Sequence, residues 1–285
     1  MQIKKVCVLG TGPMAAGIVQ VAAQAGFSVT LRATEQRFVK RGMDTVNKYI
    51  AQGIEKGKIS ETGAEEILSR IEGTTDLQVA IGDADLVIEA IIELMEMKKI
   101  MFRELAPLCK PEAIFASNSY GLSISEMASV TRRPEKVLGI HFFSPVPAMK
   151  LVELVRGMDT SDATLATAWK FVEKIGKTPV EVKDAPGFAV SRILCPMINE
   201  AIFVLSEGTA KAEDIDTAMK LGAGHPRGPL SLADMMGLDL LLQVMEEFHA
   251  ELGEDKYRPA PLLRKMVKAG RLGQKSGRGF FDYSE

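Results

Sequence analysis

The tightest constraint on this chain lies at its N-terminal end. Residues 4–10 (KKVCVLG) form a short apolar run, rich in valine, that ends in glycine. A run of this length without alternation predicts a strand buried on both faces, as in a parallel sheet covered by helices. It passes directly into Gly10-Thr-Gly12-Pro13-Met14-Ala15-Ala-Gly17, a G-x-G-x-x-A spacing with one further small residue. An apolar helical stretch then runs from Met14 to about Ala25, with Gly26 in the usual C-terminal place. Strand, glycine turn and helix in this order suit the pyrophosphate of a dinucleotide. Gly10 permits the turn, Gly12 lets backbone approach the phosphates, and Ala15 and Gly17 let the helix pack closely on the sheet. Free N–H groups and the positive dipole end of the helix complete an anion site. The order of the elements carries the reading, since the glycines alone are a weak signal.

The α/β pattern continues. Residues 28–31 (SVTL) read as a second strand, and 35–71 as two amphipathic helices. Residues 85–90 (DLVIEA), 113–117 (AIFAS) and 137–141 (VLGIH) are further strand-like runs, with a helical pattern at 97–107. Residues 151–155 and 179–182 are the last strand candidates. Strands alternating with helices predict a parallel, doubly wound Rossmann-type sheet with crossovers. After Pro186 the pattern changes: 187–207 is one long apolar-periodic stretch, and 212–221, 240–252 and 260–269 read helical. The turn-type break DAPG (184–187) divides a dinucleotide-binding domain, 1–185, from a smaller all-α domain, 186–285.

Composition excludes several classes of function. With 35 Lys+Arg against 37 Asp+Glu the net charge is −2, so no broad basic field for nucleic acid is expected. Three cysteines without CxxC spacing exclude a disulfide framework and a thiolate zinc site. Cys7 and Cys195 sit in apolar elements and read as inert core thiols, which suit a cytoplasmic protein. Three histidines, none at ligand spacing, argue against a histidine metal centre, so no metal is expected. The N-terminal apolar run is far too short for a signal-peptide core or a membrane span.

In a dinucleotide fold the second strand should end in an acid that binds the adenosine ribose, about 20 residues past the glycine loop. Here the strand end reads Leu31-Arg32-Ala33-Thr34-Glu35, and Ala33 stands where the acid belongs. Arg32 or Arg37 could meet a 2′-phosphate, because guanidinium matches phosphate oxygens bidentately. Equally, Thr34 or Glu35 could replace the acid. The cofactor reads as NAD(H) or NADP(H).

His141 ends a strand-like run, and ligands of open parallel sheets sit beyond the carboxyl ends of strands. A histidine there is placed for proton transfer. Glu153 lies in the next strand-like run, and the turn-rich FFSPVPAM between them can fold it back beside His141. A carboxylate on an imidazole fixes its tautomer and stabilises its charged form.

The glycine loop, DLVIEAIIE (85–93), FASNSYGLSI (115–124), HFFSPVPAMKLVELV (141–155), DAPGFAVSRILCPMINEA (184–201), LGAGHPRGPL (221–230) and KSGRGFFDY (275–283) together resemble the 3-hydroxyacyl-CoA dehydrogenase family, in particular its bacterial 3-hydroxybutyryl-CoA branch. The resemblance covers essentially the whole chain, with the motifs in order. It implies a Rossmann domain followed by a helical substrate and dimerisation domain, a homodimer, and interconversion of (S)-3-hydroxyacyl-CoA and 3-ketoacyl-CoA with a nicotinamide cofactor. The hydroxyl proton would go to His141, oriented by Glu153. Glu93, Lys98 and Lys275 match family positions near the cofactor, and Lys56 falls in a helical segment that contacts coenzyme A; a solvated helix face is an equal reading of Lys56.

Four positions depart from the family pattern. Tyr120 aligns with its active-site serine, in Asn118-Ser119-Tyr120-Gly121, and Ser191 aligns with its asparagine in A-P-G-F-x-x-N-R. Ala33 aligns with its acid, and Ser144 with the asparagine that often follows His-Phe-Phe. Either Tyr120 or Ser119, with Ser191, would then polarise the substrate oxygen. Losing one donor to a developing charge typically costs about 100- to 1000-fold in rate. Two alternatives follow: an impaired homologue that binds nucleotide or acyl-CoA, and a dehydrogenase for another β-hydroxyacyl thioester.

Overall fold

The computed structural model describes residues 2–284. Its contacts divide the chain into two compact units, one ending at Ala185 and the other beginning at Pro186. The first begins with β1 (Lys5–Leu9), α1 (Pro13–Gln24), β2 (Ser28–Arg32), α2 (Gln36–Glu55), α3 (Glu61–Ser69), β3 (Ile71–Thr74), α4 (Leu77–Ile81) and β4 (Leu86–Glu89). It continues with α5 (Met95–Leu105), β5 (Ile114–Ser117), α6 (Ile124–Ser129), β6 (Val137–Phe142), β7 (Leu151–Arg156), α7 (Asp162–Lys174) and β8 (Thr178–Lys183).

The eight strands form one sheet in the order β3-β2-β1-β4-β5-β6-β7-β8. β4, β5 and β6 are buried along their whole length, as their apolar runs require when helices cover both faces. The chain fills the sheet outward from β1 in one direction and from β4 in the other. The reversal leaves a crevice between β1 and β4, outside their carboxyl ends, where ligands of such sheets bind. Around the sheet, Val6, Val8, Ile18, Val19, Leu31, Val46, Ile88 and Leu154 belong to one buried cluster. Phe27 and Phe171 pack in it with ring centroids 5.2 Å apart.

The sheet is not wholly parallel. β7 runs antiparallel to β6, while β7 and β8 are parallel to each other. The connection 143–150 is too short for a crossover, which takes a dozen residues or more, so the chain must turn back. β3 is a strand that the sequence pattern does not reveal: Ile71-Glu72-Gly73-Thr74 lacks apolar alternation and is an edge strand, paired only with β2.

The second unit is helical: α8 (Val190–Ser206), α9 (Ala212–Gly222), α10 (Pro229–Met236), α11 (Leu238–Leu252) and α12 (Pro261–Lys268). Ile198, Ile202, Leu230, Leu241, Met245, Phe248 and Leu263 form its interior. α10 is also absent from the sequence reading. It is short, and it is started from a distance: the buried Asp216 carboxylate accepts the N–H groups of Leu230 at 2.8 Å and Ser231 at 3.0 Å. Asp234, further along α10, accepts N–H from Phe280 and Phe281, each at 3.0 Å, and so ties down the C-terminal segment.

Candidate active site

The glycine loop forms as its residues demand. Gly10 has φ of +123°, and a Cβ there would lie 2.4 Å from the carbonyl oxygen of Ala90. The turn out of β1 therefore presses against the end of β4. A Cβ on Gly12 would meet nothing within 4 Å, so backbone faces open space there. Gly12 caps α1 without any side-chain hydrogen bond, Pro13 opens the helix, and no acidic residue lies in the first turn. Pro13 has no N–H to satisfy, while Met14 follows it in the first turn with an N–H to offer. These residues fit a dinucleotide diphosphate: close backbone, a helix N-terminus and no competing carboxylate. Gly17 differs from expectation. Its missing Cβ makes room for Val146, whose Cβ would be 2.7 Å away, so the contact is with the loop after β6 rather than with the sheet.

Just past β2, where the sequence pattern expects the ribose-binding acid, Ala33 is buried and donates its N–H to the Thr74 carbonyl at 3.2 Å. Arg32 ends β2, half-buried, and its carbonyl accepts the Gly10 N–H at 3.0 Å. The guanidinium of Arg37 is held by the Glu35 carboxylate through Nε at 2.9 Å and Nη2 at 3.0 Å.

His141 and Glu153 come together through the ladder. They are directly opposed in the antiparallel β6–β7 pair. Nδ1 of His141 lies 2.8 Å from Oε2 of Glu153, and the side chains are 7% and 1% exposed. The Phe143 ring packs 4.4 Å from the imidazole, centroid to centroid. With its carboxylate an acceptor, Glu153 sets Nδ1 as the donor, which makes Nε2 the nitrogen able to accept a proton.

The loop after β5 is fastened on both sides. Asn118 Oδ1 accepts the Phe142 N–H at 2.9 Å, one residue past His141. Ser119 and Tyr120, interchangeable in the sequence reading, are separated by the fold. Ser119 is fully buried: its hydroxyl donates to Glu93 and accepts N–H from Gly121 and Leu122 at 3.3 and 3.0 Å. That hydroxyl organises the loop. Tyr120 is half-buried and donates its N–H to Glu93 at 3.1 Å. Ser144 is exposed, next to Pro145, and the peptide between them is cis. The buried Lys177 ammonium donates to the carbonyls of Val146 and Met149, each at 2.6 Å, and burial pulls its pKa down.

Lys98, read from the family likeness as a residue near the cofactor, is fully buried and bonds both oxygens of Glu89 at 2.7 and 2.8 Å. Its ammonium also pairs with Glu93 at 3.1 Å. Lys98 thus reaches the site through Glu93. Neither Glu89 nor Ser117, whose hydroxyl donates to Glu89 at 2.6 Å, stands out in the sequence reading. The available signal was a glutamate inside the apolar run DLVIEA. Lys56 is exposed at the end of α2. In the second unit, Ser191 lies half-buried in the first turn of α8, and Lys275 pairs with the Asp239 carboxylate at 2.6 Å. All three cysteines are buried, and burial pushes Cys109 up to about 11 and Cys195 up to about 12. Among the described residues no cluster could hold a metal ion, and no helix is long and apolar enough to cross a membrane.

Residues 5–185 match the NAD binding domain of 3-hydroxyacyl-CoA dehydrogenase, and residues 187–283 match its C-terminal domain. The chain belongs to the 3-hydroxyacyl-CoA dehydrogenase family. A Bacillus subtilis relative named "Probable 3-hydroxybutyryl-CoA dehydrogenase" is 51% identical over 285 residues, covering 100% of this chain and 99% of its own. The 3-hydroxybutyryl-CoA dehydrogenase of Bradyrhizobium diazoefficiens is 50% identical, covering 99% of this chain and 96% of its own. The crystal structure of (S)-3-hydroxybutyryl-CoA dehydrogenase from Ralstonia eutropha superposes with a TM-score of 0.95 at 45% identity, covering all of both chains. The family's NAD binding domain accounts for the strand, glycine loop and α1 found here.

Proposed function

We propose that the protein is an NAD-dependent dehydrogenase that interconverts (S)-3-hydroxyacyl-CoA and 3-ketoacyl-CoA, with 3-hydroxybutyryl-CoA as the substrate. The buried His141–Glu153 pair, 2.8 Å apart at the rim of the sheet, carries this reading. Nε2 of His141 takes the substrate hydroxyl proton as the general base and returns it in reduction. Glu153 holds the ring and stabilises the imidazolium that forms. A bound nicotinamide supplies the hydride acceptor. The backbone at Gly10, Gly12 and Met14 binds the diphosphate. Tyr120, half-buried on the loop that Asn118 ties to β6, donates its hydroxyl to the reacting oxygen where the family pattern has serine. NAD(H) is the expected cofactor, in keeping with the NAD binding domain matched over residues 5–185. We assign the homodimer contact to the second unit, where Ile193 and Leu221 are exposed apolar side chains.

Reduction of acetoacetyl-CoA, followed at the nicotinamide absorbance with NADH and NADPH in parallel, tests the proposal. Turnover with NADH on the order of 1–1000 per second, the ordinary enzyme range, is expected. Dinucleotide binding without turnover on acetoacetyl-CoA or a panel of β-ketoacyl thioesters would reject it in favour of a binding homologue.

A further inference from the structure

α7 ends on a glycine in the left-handed region. Gly176 has φ of +73°, its N–H bonds the Glu173 carbonyl at 2.9 Å, and the Lys177 N–H bonds the Val172 carbonyl at 3.1 Å. In a helix end of this kind the residue after the glycine commonly packs an apolar side chain back on the last turn. Here that residue is a lysine, only 9% exposed. Among the described residues no carboxylate pairs with its ammonium, and burial alone lowers its pKa. Lysine is seldom buried unpaired, because taking the charge out of water is costly. What compensates is two carbonyls, those of Val146 and Met149, each 2.6 Å from Nζ. Both belong to one hydrogen-bonded turn between β6 and β7, in which the Ala148 and Met149 N–H groups bond the Pro145 carbonyl at 2.9 and 3.1 Å. A turn this short leaves its later carbonyls without backbone partners, and the ammonium takes two of them.

That turn touches both halves of the site. Val146 is buried against α1, where a Cβ on Gly17 would lie 2.7 Å from its Cβ and 3.4 Å from Cδ of Pro147. The N-terminus of the same helix stands at the glycine loop. On the other side, the connection that holds the turn joins His141 to Glu153, and its Phe143 ring packs 4.4 Å from the imidazole, centroid to centroid. We propose that Lys177 is a positioning residue for hydride transfer: by fastening the turn 145–149 against α1, its ammonium keeps the glycine loop and the His141–Glu153 pair in one fixed geometry. This rests on the function proposed above, in which a hydride and a proton leave the same carbinol group. The dinucleotide enters that geometry from α1, and the proton acceptor enters it from β6. A turn held by a charge from the start of β8 and by close packing from α1 has one place to sit, and its position sets the spacing of the two elements it touches.

The test is single-turnover reduction of acetoacetyl-CoA by bound NADH, with the NADH dissociation constant measured on the same full chain. Lys177→Met keeps most of the side chain's length and removes the charge and its donors. Hydride transfer should fall about 100-fold, the scale of a misplacement of about 1 Å, while NADH affinity stays within about threefold of wild type because the backbone at the phosphates is untouched. Gly17→Ala crowds the same turn from the other side and should slow transfer as well. The double variant should cost no more than about threefold beyond the slower single, since both release one turn, whereas independent sites would multiply their losses. A residue that merely stabilised the fold would lower the melting temperature and leave transfer in the folded, NADH-saturated protein unchanged. Lys177→Gln, which keeps a donor without the charge, should show a smaller loss in the same direction, and serves if Lys177→Met does not fold. A folded variant at position 177 with transfer within about twofold of wild type, or losses that multiply in the double variant, overturns the proposal. Wild-type protein that binds NADH yet reduces no β-ketoacyl thioester overturns the dehydrogenase reading itself, a separate result.

Discussion

Replacing Glu153 by Gln removes one charge from the pair to which the proposed proton transfer is assigned and changes little else. The two side chains are 1% and 7% exposed, and the carboxylate oxygen lies 2.8 Å from Nδ1 of His141. The centres of charge in the carboxylate–imidazolium pair are then about 4 Å apart. At an effective dielectric of about 20, their attraction is worth about 4 kcal/mol, close to 1000-fold in rate if it is present only once His141 has taken the proton. The amide adds a second handicap: its NH2 can face Nδ1 and favour the tautomer that protonates Nε2. Comparable substitutions of a buried acid behind a catalytic histidine cost about 10,000-fold, so the expected loss in kcat/KM lies between about 1000- and 10,000-fold. The assay is steady-state acetoacetyl-CoA reduction, with NADH affinity and thermal unfolding measured on the same preparation. Both controls should stay near wild type, because Glu153 is on β7, away from the glycine loop, and glutamine preserves its volume. A folded variant that binds NADH and keeps kcat/KM within about tenfold of wild type would refute the role given to this carboxylate.

Two further outcomes are expected. Ala33→Asp should tighten NADH by about tenfold by supplying a charged hydrogen bond of about 1.5 kcal/mol to the ribose, and should weaken NADPH by repulsion; unchanged dissociation constants for both would show that the end of β2 does not meet the ribose. Asp85→Asn addresses acid stability. Burial pushes the Asp85 carboxyl up, but the Lys110 ammonium at 2.6 Å and the N–H groups of Lys4 and Lys5 outweigh it and hold the carboxyl below its ordinary value. A carboxyl depressed in the folded state contributes stability that is complete above the unfolded value near 4 and is lost as pH falls through the folded value. The melting temperature of wild type should therefore drop more steeply than that of Asp85→Asn as pH falls from about 5 to 3; parallel curves would contradict this.

What could be read from the chain alone follows from how local each signal is. β1, the glycine turn and α1 are contiguous, and their demands on residue type coincide, so 4–26 declares itself. His141 and Glu153 are also legible: the connection 143–150 is too short for a crossover, and it returns the chain antiparallel with the two residues opposed. β3 and α10 are stabilised by partners distant in sequence, β2 for one and the Asp216 carboxylate for the other, and their own residues carry little pattern. The buried cluster was hidden for the opposite reason. Glu93 and Lys98 resemble surface charges on a helix start, and only the fold shows that they share an interior with Glu89. The same cause separates Ser119 from Tyr120, adjacent in sequence but one sealed inside the loop and the other half-buried.

In the proposed reaction the imidazole of His141 exchanges the substrate proton. The most direct measurement pairs single-turnover reduction of acetoacetyl-CoA with NADH titration, both on His141→Ala. Hydride transfer should fall by 100-fold or more, as for loss of a general acid–base, while the NADH dissociation constant stays within about twofold of wild type. Wild-type transfer rates in that variant would contradict the assignment.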